Sequence, residues 1–235
     1  MKAPHPSSRR GLSILEVLVV VTCLLVLAAI ILPTVSFSRA KSTRIGCLNK
    51  LKNVGLALRI FSTDHGDRWP MDLSVTNGGT REWLADGNQL WRHWLTLSNE
   101  LPTPELLLCP ADKERQPSQP IFLSPKPLTW SQFADNSHLS YFLGLNAREE
   151  NPQTILGGDR NLTTNNVAVG PGCLLLKTNL VLGFTAEMHI GSGNGAGNIL
   201  LGDGSVQQVT SGRLREAWHD AHTSSGLSTN VWIVP

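Results

Sequence analysis

Charge is scarce in this chain. Across 235 residues, Lys and Arg outnumber Asp and Glu by only two, and charged residues make up 16% of the total. So small an imbalance gives no electrostatic footprint for a nucleic-acid binder, and no nucleic-acid partner is expected. Motifs that carry chemistry are missing as well. The seven histidines form no His-Glu-x-x-His and no other close metal spacing. Gly-x-Ser-x-Gly does not occur, so no nucleophile can be placed and the chain is not expected to be an enzyme. The glycine-rich "GSGNGAGN" at 191–198 has no Gly-Lys-Ser/Thr after it and no strand–helix frame, which excludes a phosphate loop and leaves a hairpin loop. No EF-hand spacing and no internal repeat is present.

What the sequence does have is one long apolar run. Leu12 to Leu32 is 21 residues with Glu16 as its only charge. At 1.5 Å per residue the run spans roughly 32 Å, one bilayer core. Arg9-Arg10 precede it and Pro33 follows it. A cleaved secretory signal is a poor fit, because the run is too long and "PTVSFSRA" is a poor cleavage site. A plain signal anchor leaves Glu16 unexplained. A carboxylate at that depth costs about 2–3 kcal/mol on insertion scales and calls for a partner.

The order Arg9-Arg10-Gly11, Leu12, Ser13-Ile14-Leu15, Glu16, then the apolar stretch Val17 to Leu32, resembles the N-terminal segment of type IV pilins and type II secretion pseudopilins. Leu12 stands where that family usually has Phe. The resemblance implies cleavage by a prepilin peptidase between Gly11 and Leu12, and N-methylation of Leu12. It further implies a role for Glu16 in assembly. In a filament, the Glu16 carboxylate of one subunit meets the new Leu12 ammonium of its neighbour and sets the axial register. Orientation carries a conflict. Arg39, Lys41, Arg44, Lys50 and Lys52 follow the span, and counting Lys and Arg alone would put that side in the cytoplasm. The resemblance implies the opposite: N-terminus cytoplasmic, single pass of the bacterial inner membrane, globular part periplasmic.

Pro33 is expected to kink the helix rather than end it. Beyond it Ile45, Leu48, Leu51, Val54, Leu58 and Phe61 recur at helical spacing, and the helix is expected to stop near Asp64-His65-Gly66 with glycine as its cap. "REWLADGNQLWRHWLTLSNEL" reads as a short helix with Trp91 and Trp94 as core anchors. Strands are expected within Leu139–Ala147, Cys173–Phe184, Gly197–Gly204 and Ser205–Ser211, with Asp203-Gly204 as a hairpin turn. A short helix at "GRLREAWHDA" and a last strand at "NVWIVP" close the chain.

Four stretches extend the resemblance to pseudopilin-like relatives: "CLNKLKNVGLALRIFSTDHGDRWP" from Cys47 to Pro70, "LLLCPAD" around Cys109, "ILGGDRN" at 155–161, and "MHIGSGNGAGNILLGDGSVQQV". The last contains a His followed at a distance by Asp-Gly, a processing-associated element. Here His189 precedes Asp203-Gly204 by 13 intervening residues, a longer interval than is usual in relatives. His189 is expected to hydrogen-bond to the Asp203 turn. Major pseudopilins often hold calcium through carboxylates. Asp159, Glu187 and Asp203 are the candidates, although no cofactor is the favoured reading. Of four cysteines, Cys23 lies in the apolar helix and is expected to stay reduced. Among Cys47, Cys109 and Cys173, at most one intramolecular bond forms in an oxidising periplasm. Cys47–Cys109 is the first choice, because both lie in motifs shared with the relatives.

The expected organisation is a leader at 1–11, a transmembrane and filament-core helix at 12–33, its amphipathic continuation at 34–63, and a periplasmic globular domain at 64–235. The fold class is α+β, a long N-terminal helix packed on a small antiparallel sheet, as in pilins. The expected function is a pseudopilin subunit that self-assembles for type II secretion. Its partners would be the prepilin peptidase and the assembly platform proteins of the inner membrane. A minor pilin for adhesion or DNA uptake and a membrane-anchored periplasmic enzyme are the alternatives.

Overall fold

A helix of 51 residues, α1 (Ile14–Asp64), opens the architecture. The computed structural model describes residues 13–115, 128–190, 195–226 and 229–235, with the backbone alone at 31–41 and 190. Gly11, Leu12 and the rest of the expected leader lie outside the described residues. The chain falls into two compact units, divided between Ser42 and Thr43.

In the first unit, Ser13 caps α1. Its Oγ accepts from the Leu15 N–H at 3.2 Å, while Glu16 Oε2 accepts from the Ser13 N–H at 2.8 Å. The sequence Ser-Ile-Leu-Glu thus forms a variant capping box, with the serine taking the N2 rather than the N3 donor and the glutamate reaching back to the cap N–H. Residues 14–30 are all exposed, among them Leu18, Val20, Leu24, Leu25, Val26 and Ile30. α1 continues through Pro33 without ending. Among the described residues no helix is long and apolar enough to cross a membrane. The part with described side chains, 14–30, is shorter than the roughly 20 residues a bilayer core needs.

In the second unit, α1 buries Cys47, Leu51, Val54, Ala57, Leu58 and Phe61. The buried stripe therefore starts at Cys47. Ile45, expected on that face, is exposed, because stepping back by whole turns from Leu58, Val54 and Leu51 leads to 47. The helix stops as expected. Gly66 takes φ +68, and the Asp67 N–H reaches the Ser62 carbonyl at 2.9 Å, the six-to-one bond of a Schellman end. Short 3-10 turns and the six-residue α2 (Leu90–Leu95) follow, with Trp94 buried and Trp91 partly buried against the core. The Arg92 guanidinium lies over the Trp91 ring, 4.5 Å from its centroid.

Among the described residues ten strands come next: β1 (Tyr141–Gly144), β2 (Ile155–Asp159), β3 (Leu162–Thr164), β4 (Val167–Ala168), β5 (Gly172–Lys177), β6 (Leu182–Phe184), β7 (His189–Ile190), β8 (Gly195–Leu201), β9 (Val206–Thr210) and β10 (Thr229–Val234). A seven-stranded sheet runs β5-β10-β1-β2-β8-β7 with β9 paired to β8, and β4-β3-β6 form a smaller sheet. Every pairing is antiparallel. The fold is α+β. Asp203-Gly204 makes the β8–β9 hairpin turn, with Gly204 at φ +80.

Alternate residues of the central strands serve two cores. Tyr141, Leu143, Leu200 and Ile233 join the α1 side. Phe142, Ile199, Leu201 and Trp232 join Leu214, Trp218 and Ala221 of α3 (Ser211–Ser225) on the other. With both faces covered, β1, β2 and β8 are buried along their whole length. Strand β2 escapes sequence reading for this reason. "ILGGD" shows no alternation, and its paired glycines read as a turn. Gly158 has a packing reason instead: a Cβ there would sit 2.6 Å from the Asn198 carbonyl oxygen.

Candidate functional site

The four stretches quoted above are far apart in sequence and meet at one place. Cys47 arrives on α1, Cys109 follows the 3-10 turn Pro104–Leu107, Asp159 ends β2, and His189 and Asn198 sit on β7 and β8. The sheet register brings them together. Tyr141 is opposite Asp159, and His189 is opposite Ala196. Directly paired residues point to one face, and so do residues two apart along a strand. Tyr141, Asp159, His189, Ala196, Asn198 and Leu200 therefore share the face that packs under α1.

Cys47 and Cys109 are bonded there, Sγ–Sγ 2.03 Å, with no exposed surface on either. His189 Nε2 lies 3.6 Å from Cys109 Sγ and 3.3 Å from Asp159 Oδ2. Asn198 holds the same oxygen, and its amide nitrogen also lies 3.3 Å from His189 Nε2. Its main-chain N–H donates to Asp159 Oδ2 at 2.7 Å and its side-chain amide at 2.9 Å. Asp159 Oδ1 is buried with no hydrogen-bond partner among the described residues. Tyr141 donates to the Cys47 carbonyl at 3.5 Å. Burial, and after it the negative charges of Asp159 and Asp112, pushes the Tyr141 hydroxyl well above its ordinary value, so it stays a neutral phenol.

The same two loops are tied a second time. Arg160 grips Asp112 with two bonds, Nε to Oδ2 at 2.7 Å and Nη2 to Oδ1 at 2.8 Å, and Asp112 is buried. Arg160 also reaches Glu114 at 2.6 Å. The hydrogen bond to Asp112 is the main reason the guanidinium pKa is raised. The "CPAD" and "GGDRN" stretches thus each contribute one residue to the buried cluster and one to an ion pair beside it.

One expectation is corrected here. His189 does not bond to the Asp203 turn, because it pairs near the start of β8 while Asp203 lies past that strand's end. Asp203 instead accepts from the Ser205 N–H at 2.8 Å within its own turn, and Arg59 of α1 donates to its carbonyl. Nor do Asp159, Glu187 and Asp203 converge on a calcium site. Asp159 is buried in the cluster, whereas Glu187 and Asp203 are exposed on separate loops. The one grouping of metal-ligating residues among those described is Cys47, Cys109 and His189, with ligand atoms within 4.8 Å of one another. Cys23 and Cys173 are free and exposed.

Sequence reading missed two things. Asn198, hidden in a glycine-rich stretch, carries no motif of its own. Glu16 has a local partner in Ser13, and the Ser-x-x-Glu spacing was the available signal. No family model matches the chain, and neither does a curated protein or a solved structure.

Proposed function

We propose that this chain is a prepilin-like subunit. It is stored in the inner membrane, cut between Gly11 and Leu12, and assembled through α1 into a pseudopilus of the type II secretion kind. The observation that carries this reading is the N-terminal stretch of α1. Its apolar side chains are exposed around the whole circumference over residues 14–30. A helix hydrophobic on every side needs lipid or other helices around it. Copies of itself supply the latter in a filament. The Gly11–Glu16 pattern supports the same reading, as does a separate unit carrying the sheet.

The capping box gives Glu16 a resting position. Before assembly the carboxylate closes its own helix start. In the filament it turns to the Leu12 ammonium of the neighbouring subunit. The test is mass spectrometry of protein extracted from membranes of cells with an active prepilin peptidase. The expected N-terminus is Leu12, methylated, and Gly11→Val leaves the leader attached. An intact Met1 terminus on the wild type sinks the reading.

A further inference from the structure

The buried cluster under α1 has the composition and spacing of a zinc site whose two sulfurs happen to be bonded to each other. We propose that in its dithiol state the chain binds one Zn²⁺ through Cys47 Sγ, Cys109 Sγ, His189 Nε2 and the Asp159 carboxylate, so that metal binding and the disulfide are mutually exclusive.

Geometry is the first argument. Zinc takes sulfur at about 2.3 Å and nitrogen or oxygen at about 2.0–2.2 Å in a tetrahedron, which gives edges of about 3.6 Å for S···N and about 3.4 Å for N···O. The two corresponding distances here are 3.6 Å from Cys109 Sγ to His189 Nε2 and 3.3 Å from His189 Nε2 to Asp159 Oδ2. The ligand atoms of Cys47, Cys109 and His189 already lie within 4.8 Å of one another. Two kinds of edge are far from their values. A tetrahedral S···S edge is about 3.8 Å, and the Asp159 carboxylate lies outside the 4.8 Å grouping of the other three ligands; both edges close only when the S–S bond is cleaved and the freed sulfurs swing toward Asp159.

The second argument is the unpartnered oxygen. Asp159 Oδ1 is buried without a hydrogen-bond partner among the described residues, an expensive condition for a carboxylate. A cation held on the Oδ2 side of the same carboxylate offsets part of that cost. Asn198, which donates twice to Oδ2, fixes the carboxylate as an outer partner of a metal ligand does.

The conversion balances. A dithiol reductant delivers two electrons and two protons to the S–S bond, giving two thiols, and is itself oxidised to a disulfide. Zinc then binds both sulfurs, and their two protons pass to solvent. Because both sulfurs are buried, a chain that folds before it is oxidised has the easiest route to the metal.

The experiment uses the full chain in detergent micelles. It is synthesised once under a phosphine reductant with zinc chloride, and once under oxidising conditions with the same zinc. Both preparations are desalted, and zinc per chain is measured by mass spectrometry alongside free thiols. The dithiol form should hold about one zinc, the disulfide form almost none, and Asn198→Ala should weaken binding about 10–100-fold. His189→Ala and Asp159→Asn should each lose more. Cobalt in place of zinc should give thiolate-to-metal charge-transfer bands that vanish on oxidation. Zinc in the reduced wild type no higher than in the oxidised wild type overturns the proposal. So does His189→Ala that keeps wild-type affinity. The oxidised wild type serves as the non-binding control if Cys47→Ser/Cys109→Ser does not fold.

Discussion

Glu16 and His93 show how one side chain sets a condition for the whole chain. Glu16→Ala removes both the capping bond to Ser13 and the partner proposed for the Leu12 ammonium. Losing the cap costs about 1 kcal/mol, too little to unfold a helix of 51 residues. Stranding a buried ammonium costs about 3–5 kcal/mol at every subunit added. Processing should survive and assembly should fail, as read by crosslinked ladders in cells with the assembly machinery. Ladders of wild-type length would show that capping is all Glu16 does. His93 is buried, with Nδ1 2.6 Å from the Thr80 hydroxyl. Burial, opposed by a hydrogen bond to the Trp83 backbone, lowers its pKa to about 4. The folded chain thus keeps His93 neutral where the unfolded chain, titrating near 6.5, takes up a proton. Stability is complete above about pH 6.5 and falls as pH drops toward 4, by up to about 3 kcal/mol. Urea unfolding at pH 7 and pH 4.5 should show a smaller acid loss in His93→Gln than in the wild type. Equal losses would place the acid sensitivity elsewhere.

Among the elements, β2 is the one most constrained by its neighbours. It lies between β1 and β8, with a register shift between Ile155 and Gly157. Gly158 faces the Asn198 carbonyl oxygen and the Phe142 ring, both within 3 Å of a would-be Cβ. Main chain cannot yield as a side-chain tip can. Gly158→Ala should therefore destabilise the globular unit by about 1–3 kcal/mol, measured as a lower denaturation midpoint. It should also disturb Asp159 next door, so the zinc affinity proposed above should fall with it. A wild-type midpoint would mean that β2 and β8 can part without cost.

For the whole molecule, two long-range ties hold the loop around Cys109 and Asp112 to α1 and to the end of β2. The disulfide closes a separation of 62 residues, and loop-closure entropy assigns such a bond about 4 kcal/mol. Cys47→Ser/Cys109→Ser should lower stability by about 2–5 kcal/mol, and chemical denaturation of the reduced and oxidised wild type should bracket the same value. Arg160–Asp112 is the second tie. Arg160→Met leaves a buried carboxylate without its cation and should cost about 3–5 kcal/mol. A loss below 1 kcal/mol would mean that water reaches Asp112.

Much of this architecture is legible in the chain itself, wherever the signal is local. The apolar run from Leu12, the Gly66 stop, the Asp203-Gly204 turn and the last strand at 229–234 each rest on neighbours within a few residues. Turn chemistry and helical periodicity act over that range. The cap at Ser13 is equally local, since Ser-x-x-Glu places both partners within one helical turn. The buried cluster was not legible. Cys47, Cys109, Asp159 and His189 could be singled out one motif at a time, but nothing local says they meet. That meeting is decided by the register of β1, β2, β7 and β8, and by which face of α1 lies on them. Two-sided burial, which erases alternation from β2 and β8, is likewise a property of the packed layers. A sequence specifies turns and periodicities through contacts between near neighbours. Only the closed sheet, by fixing which residues oppose one another, turned Asp159 from a calcium candidate into the buried partner of His189.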